Sequence, residues 1–264
     1  DHFAFVHDKM PDHKFVWMLG AGASLASGIP LGSTLVDRWL AELHVREDHN
    51  NTPLEEWATE KNLDIDSFTY EERASFYPKV YERRFNRYPE EGYADLESAM
   101  ADADPSPGYS ILAAALAGNL PDRQPRHNAV VTTNFDNLVA DALSIYTDTF
   151  PFVCGHESLT PFVKVAMRRP VVCKIHRDLL LAPQNDSRSL RRLHDAWGMA
   201  LRALFEHYTP LFIGYGGNDD TLMDLLESLQ PGDIKGQLIW CYYEGGEPSE
   251  RIKEVVADHK GILV

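Results

Sequence analysis

The chain has few cysteines and no long apolar run, and each scarcity excludes a class of protein. Its three cysteines, Cys154, Cys173 and Cys241, form no C-x-x-C pair, so neither a structural zinc site nor a disulfide framework is indicated. Two of them lie in apolar runs, which predicts buried thiols, and we expect a reducing, cytoplasmic compartment. Because no apolar run approaches the length that spans a bilayer, we expect no contact with a membrane.

Basic residues are also scarce relative to acidic ones. The chain has 25 Lys and Arg against 40 Asp and Glu, which gives a formal net charge of −15. The longest basic features are pairs such as Arg168-Arg169 and Arg191-Arg192. We therefore expect no nucleic-acid-binding face on this domain. A local anion site stays compatible with this charge, because a helix N-terminus attracts anions without a basic cluster.

The chain does have enough apolar residues for a sizeable core. It contains 264 residues, of which 44% are hydrophobic. That length fits one large domain over residues 1–264, or a core domain that carries an inserted module. The first residue is Asp rather than Met, which we interpret as a sign that the sequence is a fragment of a longer chain.

Short apolar runs alternate with helical stretches, and this alternation predicts the fold. The predicted strands are 15–19, 129–132, 171–175, 211–213, 238–243 and 262–264. Helical patterns at 191–208 and 220–229 lie between them. Runs rich in Val and Ile, separated by helices, predict an α/β fold, a Rossmann-like parallel sheet with helices on both faces.

Residues from about 40 to 125 have a different composition, with few β-branched runs and many Glu, Arg, Tyr and Ala residues. Aromatic residues such as Tyr81, Phe85 and Tyr88 recur there at helical spacing. We predict a mostly helical module inserted between the first and second strands, with its aromatic residues in a core.

A glycine-rich segment, G-A-G-A-S-L-A-S-G-I-P at 20–30, directly follows the first predicted strand. A strand, a glycine turn and a helix start bring a main chain close to a nucleotide phosphate. Gly20 and Gly22 can take positive φ and leave no side chain in the way. Leu25 occupies the place of the third glycine of G-x-G-x-x-G, so a plain strand–turn–helix corner is the alternative interpretation.

Polar residues follow three further predicted strands, in the segments T-T-N-F-D at 132–136, H-R-D at 176–178 and G-Y-G-G-N-D-D at 214–220. Since the carboxyl ends of parallel strands meet at one edge of the sheet, these residues are expected to line one crevice. Each also has a structural alternative. Asn134 and Asp136 could cap the next helix, Asp219 or Asp220 another, and His176 could be a satisfied core histidine.

Together, the motifs G-A-G-A-S-x-x-S-G-I-P, T-T-N-F-D, K-I-H and G-Y-G-G-N-D resemble the sirtuin fold, in its bacterial defence-type branch. The resemblance implies NAD as a substrate, with Asn134 and His176 as the catalytic residues. His176 would be a general base beside the nicotinamide ribose. The implied NAD-contacting residues are Gly20, Ala21, Gly22 and Ser24 at the pyrophosphate, Asp136 near the nicotinamide, Gly214, Gly216 and Asp219 on the adenosine side, and Thr133.

Two departures from the family pattern bear on function. The chain cannot build the four-cysteine zinc module of deacylating sirtuins, so protein deacylation ranks last and no metal is expected. Arg177 follows the histidine where the family has Gly. If that position needs positive φ, Arg is strained there, and its side chain would either fill the pocket or contact a phosphate.

These observations lead to a primary functional hypothesis and two alternatives. The first is an NAD glycohydrolase that releases nicotinamide and ADP-ribose as the toxic effector of an antiphage system, as a homo-oligomer with a sensor domain or partner protein. The second is a regulatory domain that binds NAD, or an ADP-ribose-derived nucleotide, without cleaving it. The third is ADP-ribosyl transfer to another molecule.

Overall fold

Seven parallel strands form the central sheet in the computed structural model, which describes residues 2–118, 126–181, 183, 195–243 and 245–264. The strands are β1 Phe15–Leu19, β2 His127–Thr132, β3 Phe152–Cys154, β4 Val171–Lys174, β5 Thr209–Ile213, β6 Ile239–Trp240 and β7 Ile262–Leu263. Their order across the sheet is β3-β4-β2-β1-β5-β6-β7, and every neighbouring pair is parallel. The predicted Rossmann-like α/β fold is therefore confirmed, and each of the six predicted strands is found.

The sequence pattern missed strand β3, which lies at one edge of the sheet. It has only three residues, and Pro151 and Gly155 flank them. Its partner is β4, with Phe152 opposite Val171 and Cys154 opposite Cys173. So short a run between Pro and Gly carries too little periodicity to be separated from a loop, and only the pairing with β4 makes it a strand.

Helices cover both faces of the sheet, as the alternation of side chains along β1 shows. Val16 and Met18 pack into a core with α10 Asp195–Phe205, α11 Asp220–Ser228 and α12 Glu250–Asp258. Trp17 and Leu19 point the other way, into a core with α8 Pro107–Leu116 and α9 Leu138–Tyr146. Because successive side chains of a strand face opposite sides, the two cores lie on opposite faces.

The predicted helical stretches are found at α10 and α11, although 191–194 lie outside the described residues. The further helices are α1 His2–Lys9, α2 Ala21–Ser24, α3 Gly32–Glu47, α4 Leu54–Trp57, α5 Glu60–Leu63, α6 Tyr77–Phe85 and α7 Pro89–Met100. None of the described helices is both long and apolar enough to cross a bilayer.

Between β1 and β2, the chain forms helices around a core of its own. Trp39 lies against Tyr81 and Phe85 in this core, with ring centroids 5.4 and 5.6 Å apart. Tyr88, the third aromatic of the predicted stripe, is instead 69% exposed. Helix begins at Gly32 and residues 119–125 lie outside the described part, so the module limits of about 40 and 125 stay a prediction.

The order of the strands determines where a ligand would bind. On one side of β1 lie β2, then β4, then β3, and the later strands β5, β6 and β7 lie on the other side of β1. In open parallel sheets, the crevice for a ligand lies outside the carboxyl ends of the strands at such a switch point. Here that point lies between β1 and β5.

Candidate functional site

The loops that follow β1 and β5 are pressed together at the switch point. The amide of Gly20 donates to the Ile213 oxygen at 3.1 Å, and the amide of Gly22 donates to the Gly214 oxygen at 2.9 Å. A Cβ on Gly22 would lie 2.9 Å from the Gly214 Cα, and a Cβ on Gly214 would lie 2.1 Å from the Ala23 nitrogen. Glycine is needed here because the two main chains touch.

The backbone of the glycine loop is shaped by this contact. Gly20 has φ −116° and the described positive-φ glycines do not include Gly22, so neither residue uses the positive φ that glycine allows. Positive φ occurs instead at Gly28 and Gly214. The amides of Gly20 and Gly22 bond to the β5 side, and the Ala23 amide bonds to the Gly20 oxygen at 3.0 Å. Ala21, Gly22 and Gly216 are exposed at this edge of the sheet.

Ser24 connects the glycine loop to the loop after β2. Its side chain is buried, and its Oγ donates to Asp136 Oδ2 at 2.7 Å. The same oxygen accepts from Asn134 Nδ2 at 3.0 Å and lies 2.9 Å from the Tyr109 hydroxyl. Since the single proton of Ser24 goes to Asp136, Tyr109 is the donor in the last contact. Burial, with the charge of Asp136, raises the pKa of Tyr109, which keeps this donor protonated.

Asn134 and Asp136 also have structural partners. Asn134 Nδ2 donates to the Gly20 oxygen at 3.1 Å, which ties the loops after β2 and β1 together. Asp136 Oδ1 accepts from the Leu138 amide at 3.1 Å, at the start of α9. Asp136 lies one residue before the cap position of α9, which is Asn137, and no side-chain capping hydrogen bond is formed there. The second oxygen of Asp136 is bonded to Ser24.

His176 connects the loop after β4 to the loop after β5. It is 6% exposed, and its Nε2 lies 3.0 Å from Thr221 Oγ1. Thr221 donates its proton to Asp219 Oδ1 at 2.6 Å, so it accepts from His176 and Nε2 carries a hydrogen. Asp219 also accepts from the Tyr215 hydroxyl at 2.7 Å and, as the cap of α11, from the Leu222 amide at 3.0 Å.

The environment of His176 favours its neutral form. Burial lowers the pKa of His176, and this outweighs the opposing effects of the Asp219 carboxylate, 3.7 Å from Nε2, and of a hydrogen bond with the Thr133 main chain. A neutral imidazole is the form that accepts a proton in general base catalysis. The same hydrogen bonds also mean that His176 is a satisfied buried histidine, which was the structural alternative.

The lowered pKa of His176 predicts how stability depends on pH. Below about pH 6.5 the unfolded chain protonates this histidine while the folded chain does not, so stability falls as the pH drops toward the folded pKa. We expect the wild type to lose more unfolding free energy between pH 7.5 and 5.5 than His176→Gln does. Urea denaturation at both pH values measures the difference, and equal losses would contradict it.

Arg177 lies where the family has Gly, and its backbone is in the left-handed region, with φ +67°. Its guanidinium binds Glu157, from Nε to Oε2 at 2.9 Å and from Nη2 to Oε1 at 2.5 Å. Hydrogen bonds with Glu157 raise the pKa of Arg177. Burial by itself would raise the pKa of Glu157, but the hydrogen bonds and charge of Arg177 outweigh it, so the pKa of Glu157 is lowered. The Arg177 side chain thus contacts a carboxylate of this chain.

We expect Arg177→Gly to be more stable than Arg177→Ala by about 1 kcal/mol, because a Cβ in the left-handed region costs that much. Both variants lose the contact with Glu157, so their difference isolates the backbone. Thermal unfolding of the two proteins measures it. An alanine variant at least as stable as the glycine variant would show that the backbone relaxes.

Sequence reasoning missed three side chains that support the site: Tyr109, Lys174 and Thr221. Tyr109 lies on α8, distant in sequence from every motif, and no local pattern marks it. Lys174 ends the buried strand β4, and a lysine in an otherwise apolar run was a usable signal. Thr221 lies directly after the two aspartates of the fourth motif, within the first turn of α11.

Cys154 and Cys173 are buried opposite each other on β3 and β4, and Cys241 is half-buried. A hydrogen bond with Cys154, together with burial, raises the pKa of Cys173. Within the described ranges, no group of three His, Cys, Asp or Glu side chains is placed to hold a metal ion.

A parallel sheet with glycine loops and polar side chains at its switch point places this chain among the α/β proteins that bind ligands at strand ends. A family model of the SIR2-like domain matches residues 128–262, about half of the chain. The chain belongs to this family, which implies NAD binding and confirms the predicted sirtuin-like domain. The match includes the loops after β2, β4 and β5, and the glycine motif at 20–30 precedes it. No curated protein matches the chain.

Proposed function

We propose that this domain is an NAD glycohydrolase that cleaves NAD into nicotinamide and ADP-ribose. The observation that carries the proposal is that side-chain hydrogen bonds join the four strand-end loops in two pairs. Ser24 bonds to Asn134 and Asp136, and His176 bonds through Thr221 to Asp219. Membership of a family that implies NAD binding supports the choice of substrate.

In the proposed reaction, the bond between the ribose C1′ and the nicotinamide nitrogen breaks and water adds to C1′. Nicotinamide leaves as a neutral molecule, so no strong acid is required. Asn134 would position the water or the ribose hydroxyls. His176 would take the proton that the water loses on Nε2 once its contact with Thr221 opens and the imidazole hydrogen lies on Nδ1, because Nε2 carries that hydrogen while the contact is closed. The lowered pKa of His176 supports this role, because the imidazole is neutral near pH 7. Asp136 would hold the carboxamide.

The glycine loops suit the rest of an NAD molecule. Gly20 and Gly22 have no side chain, and Ala21 and Gly22 are exposed, so a pyrophosphate could approach this main chain closely. We assign Gly20, Ala21, Gly22 and Ser24 to the pyrophosphate, Gly214, Gly216 and Asp219 to the adenosine, and Thr133 to the NAD-binding residues. These assignments rest on the resemblance of the four motifs to the sirtuin fold.

A second candidate is a regulatory domain that binds NAD, or a nucleotide derived from ADP-ribose, without cleaving it. It is favoured by the hydrogen bonds that engage the side chains of His176 and Asn134. For His176 to reach a ribose hydroxyl through Nε2, its contact with Thr221 has to open. A domain that only binds NAD needs no such opening.

The biological role we propose is that of a toxic effector in antiphage defence, acting in the cytoplasm as a homo-oligomer with a sensor domain or partner protein. Two sequence features support it: the resemblance of the four motifs to the defence-type branch, and three cysteines where deacylating sirtuins need four for zinc. The same cysteine count argues against protein deacylation.

The test is to incubate the purified protein with NAD at low and high protein concentration and to quantify nicotinamide and ADP-ribose by chromatography. Release of both products in equal amounts would support hydrolysis. Nicotinamide without free ADP-ribose would indicate transfer or cyclisation. Saturable NAD binding by calorimetry without any product would favour the regulatory domain, and absence of binding would contradict both candidates.

A further inference from the structure

Lys174 is a buried lysine between the loop after β2 and the loop after β4. It is the last residue of β4 and is 1% exposed. Its Nζ donates to the Phe135 oxygen at 2.8 Å, to Asn137 Oδ1 at 2.7 Å and to Asp178 Oδ2 at 2.7 Å. An ammonium has three hydrogens, and these three acceptors use all of them.

The three acceptors lie on the two loops that carry the proposed catalytic residues. Phe135 lies between Asn134 and Asp136 in the loop after β2, and Asn137 follows them. Asp178 lies two residues after His176 in the loop after β4. The ammonium therefore ties the two loops together, in addition to the hydrogen bond of His176 with the Thr133 main chain.

A core that needed only packing would not need this charge, because burying an ammonium requires a carboxylate and further hydrogen bonds to offset its lost hydration. Asp178 supplies the carboxylate, and its other oxygen accepts from the Leu180 amide at 3.2 Å. The Asp178 amide donates to the Gly155 oxygen at 2.8 Å, so this loop is held on its outer side as well.

We propose that Lys174 is a positioning residue, which holds the loop of Asn134 and Asp136 at a set distance from the loop of His176. The expected effect of Lys174 on the reaction rate rests on the proposed NAD cleavage. The expected effect of Lys174 on the positions of the two loops does not depend on NAD cleavage, and it is measurable without NAD.

The main variant is Lys174→Met, which keeps the length of the side chain and removes its three hydrogen bonds. Asn137→Ala is a milder variant, because Asn137 is exposed and its side chain makes no capping hydrogen bond to α9. Lys253→Met is the control for removing a lysine elsewhere, since Lys253 on α12 is partly exposed and binds two carboxylates, Glu247 and Glu250, outside the candidate site.

The first measurement is hydrogen exchange without ligand. The amides of Asn134, Arg177 and Asp178 are reporters, because each is hydrogen-bonded in the structure. We expect them to exchange faster in Lys174→Met and, to a smaller extent, in Asn137→Ala, while the amides within β1 and β5 are unchanged. Unchanged reporters in both variants would overturn the proposal, as would uniformly faster exchange throughout the sheet.

The second measurement is nicotinamide release at saturating NAD. We expect kcat to fall between about 10-fold and 10²-fold in Lys174→Met with KM nearly unchanged, because misplaced catalytic groups affect the reaction more than binding. Unchanged kcat alongside faster loop exchange would overturn the catalytic part. If the wild type releases no nicotinamide, the proposed function fails, and the exchange measurement still decides whether Lys174 positions the loops.

Discussion

Gly214→Ala is expected to destabilise the domain by about 2–5 kcal/mol. The new Cβ would lie 2.1 Å from the Ala23 nitrogen, and the backbone at Gly214 has φ +64°. The atoms it meets belong to main chain, which cannot rotate away. Overpacking of this kind costs about 1–3 kcal/mol. The left-handed backbone adds about 1–2 kcal/mol. Urea denaturation of the purified variant measures the loss against the wild type.

Two further alanine variants separate these causes. Gly28→Ala tests the backbone alone, because Gly28 has φ +91° and nothing lies within 4 Å of its added Cβ. Gly22→Ala tests packing alone, because its Cβ would lie 2.9 Å from the Gly214 Cα. We expect the cost at Gly214 to exceed each of the other two. A loss at Gly214 no larger than that at Gly28 would show that the loops after β1 and β5 separate easily.

His176→Ala is expected to lower the rate of nicotinamide release by about 10² to 10⁴-fold, the usual contribution of a general base. His176 is buried and joins Thr221 to the loop after β4, so some loss of stability accompanies the loss of activity. The activity assay is therefore run well below the melting temperature of the variant, and circular dichroism confirms that it is folded.

The matched control is His207→Ala, since His207 is exposed and lies after α10, outside the four motifs. It is expected to retain wild-type turnover. Asn134→Ala should lose activity to a similar extent as His176→Ala, because the two residues lie on the two loops that Lys174 joins. Wild-type turnover in both site variants would show that these residues have been wrongly assigned.

Much of this protein was determined by its sequence alone. Runs of Val, Ile, Leu and Phe between helical stretches predicted six of the seven strands, because burial on both faces requires an apolar residue at nearly every position. The segments after those strands predicted where Ser24, Asn134, His176 and Asp219 lie, since parallel strands bring their carboxyl ends to one edge. Arg177 in place of Gly implied strain only if this position takes positive φ, and the structure supplies that condition with φ +67°.

The tertiary structure decided the other features of the fold and the site, because these features depend on which distant segments of the chain meet. β3 is a strand only through its pairing with β4. Gly22 is needed because Gly214, far along the chain, approaches it, and a local motif contains no information about that distance. Likewise, Lys174 and Tyr109 become part of the site through partners on other elements. Sequence patterns record burial and backbone preference residue by residue, whereas close approach and hydrogen-bond partners are properties of the folded chain.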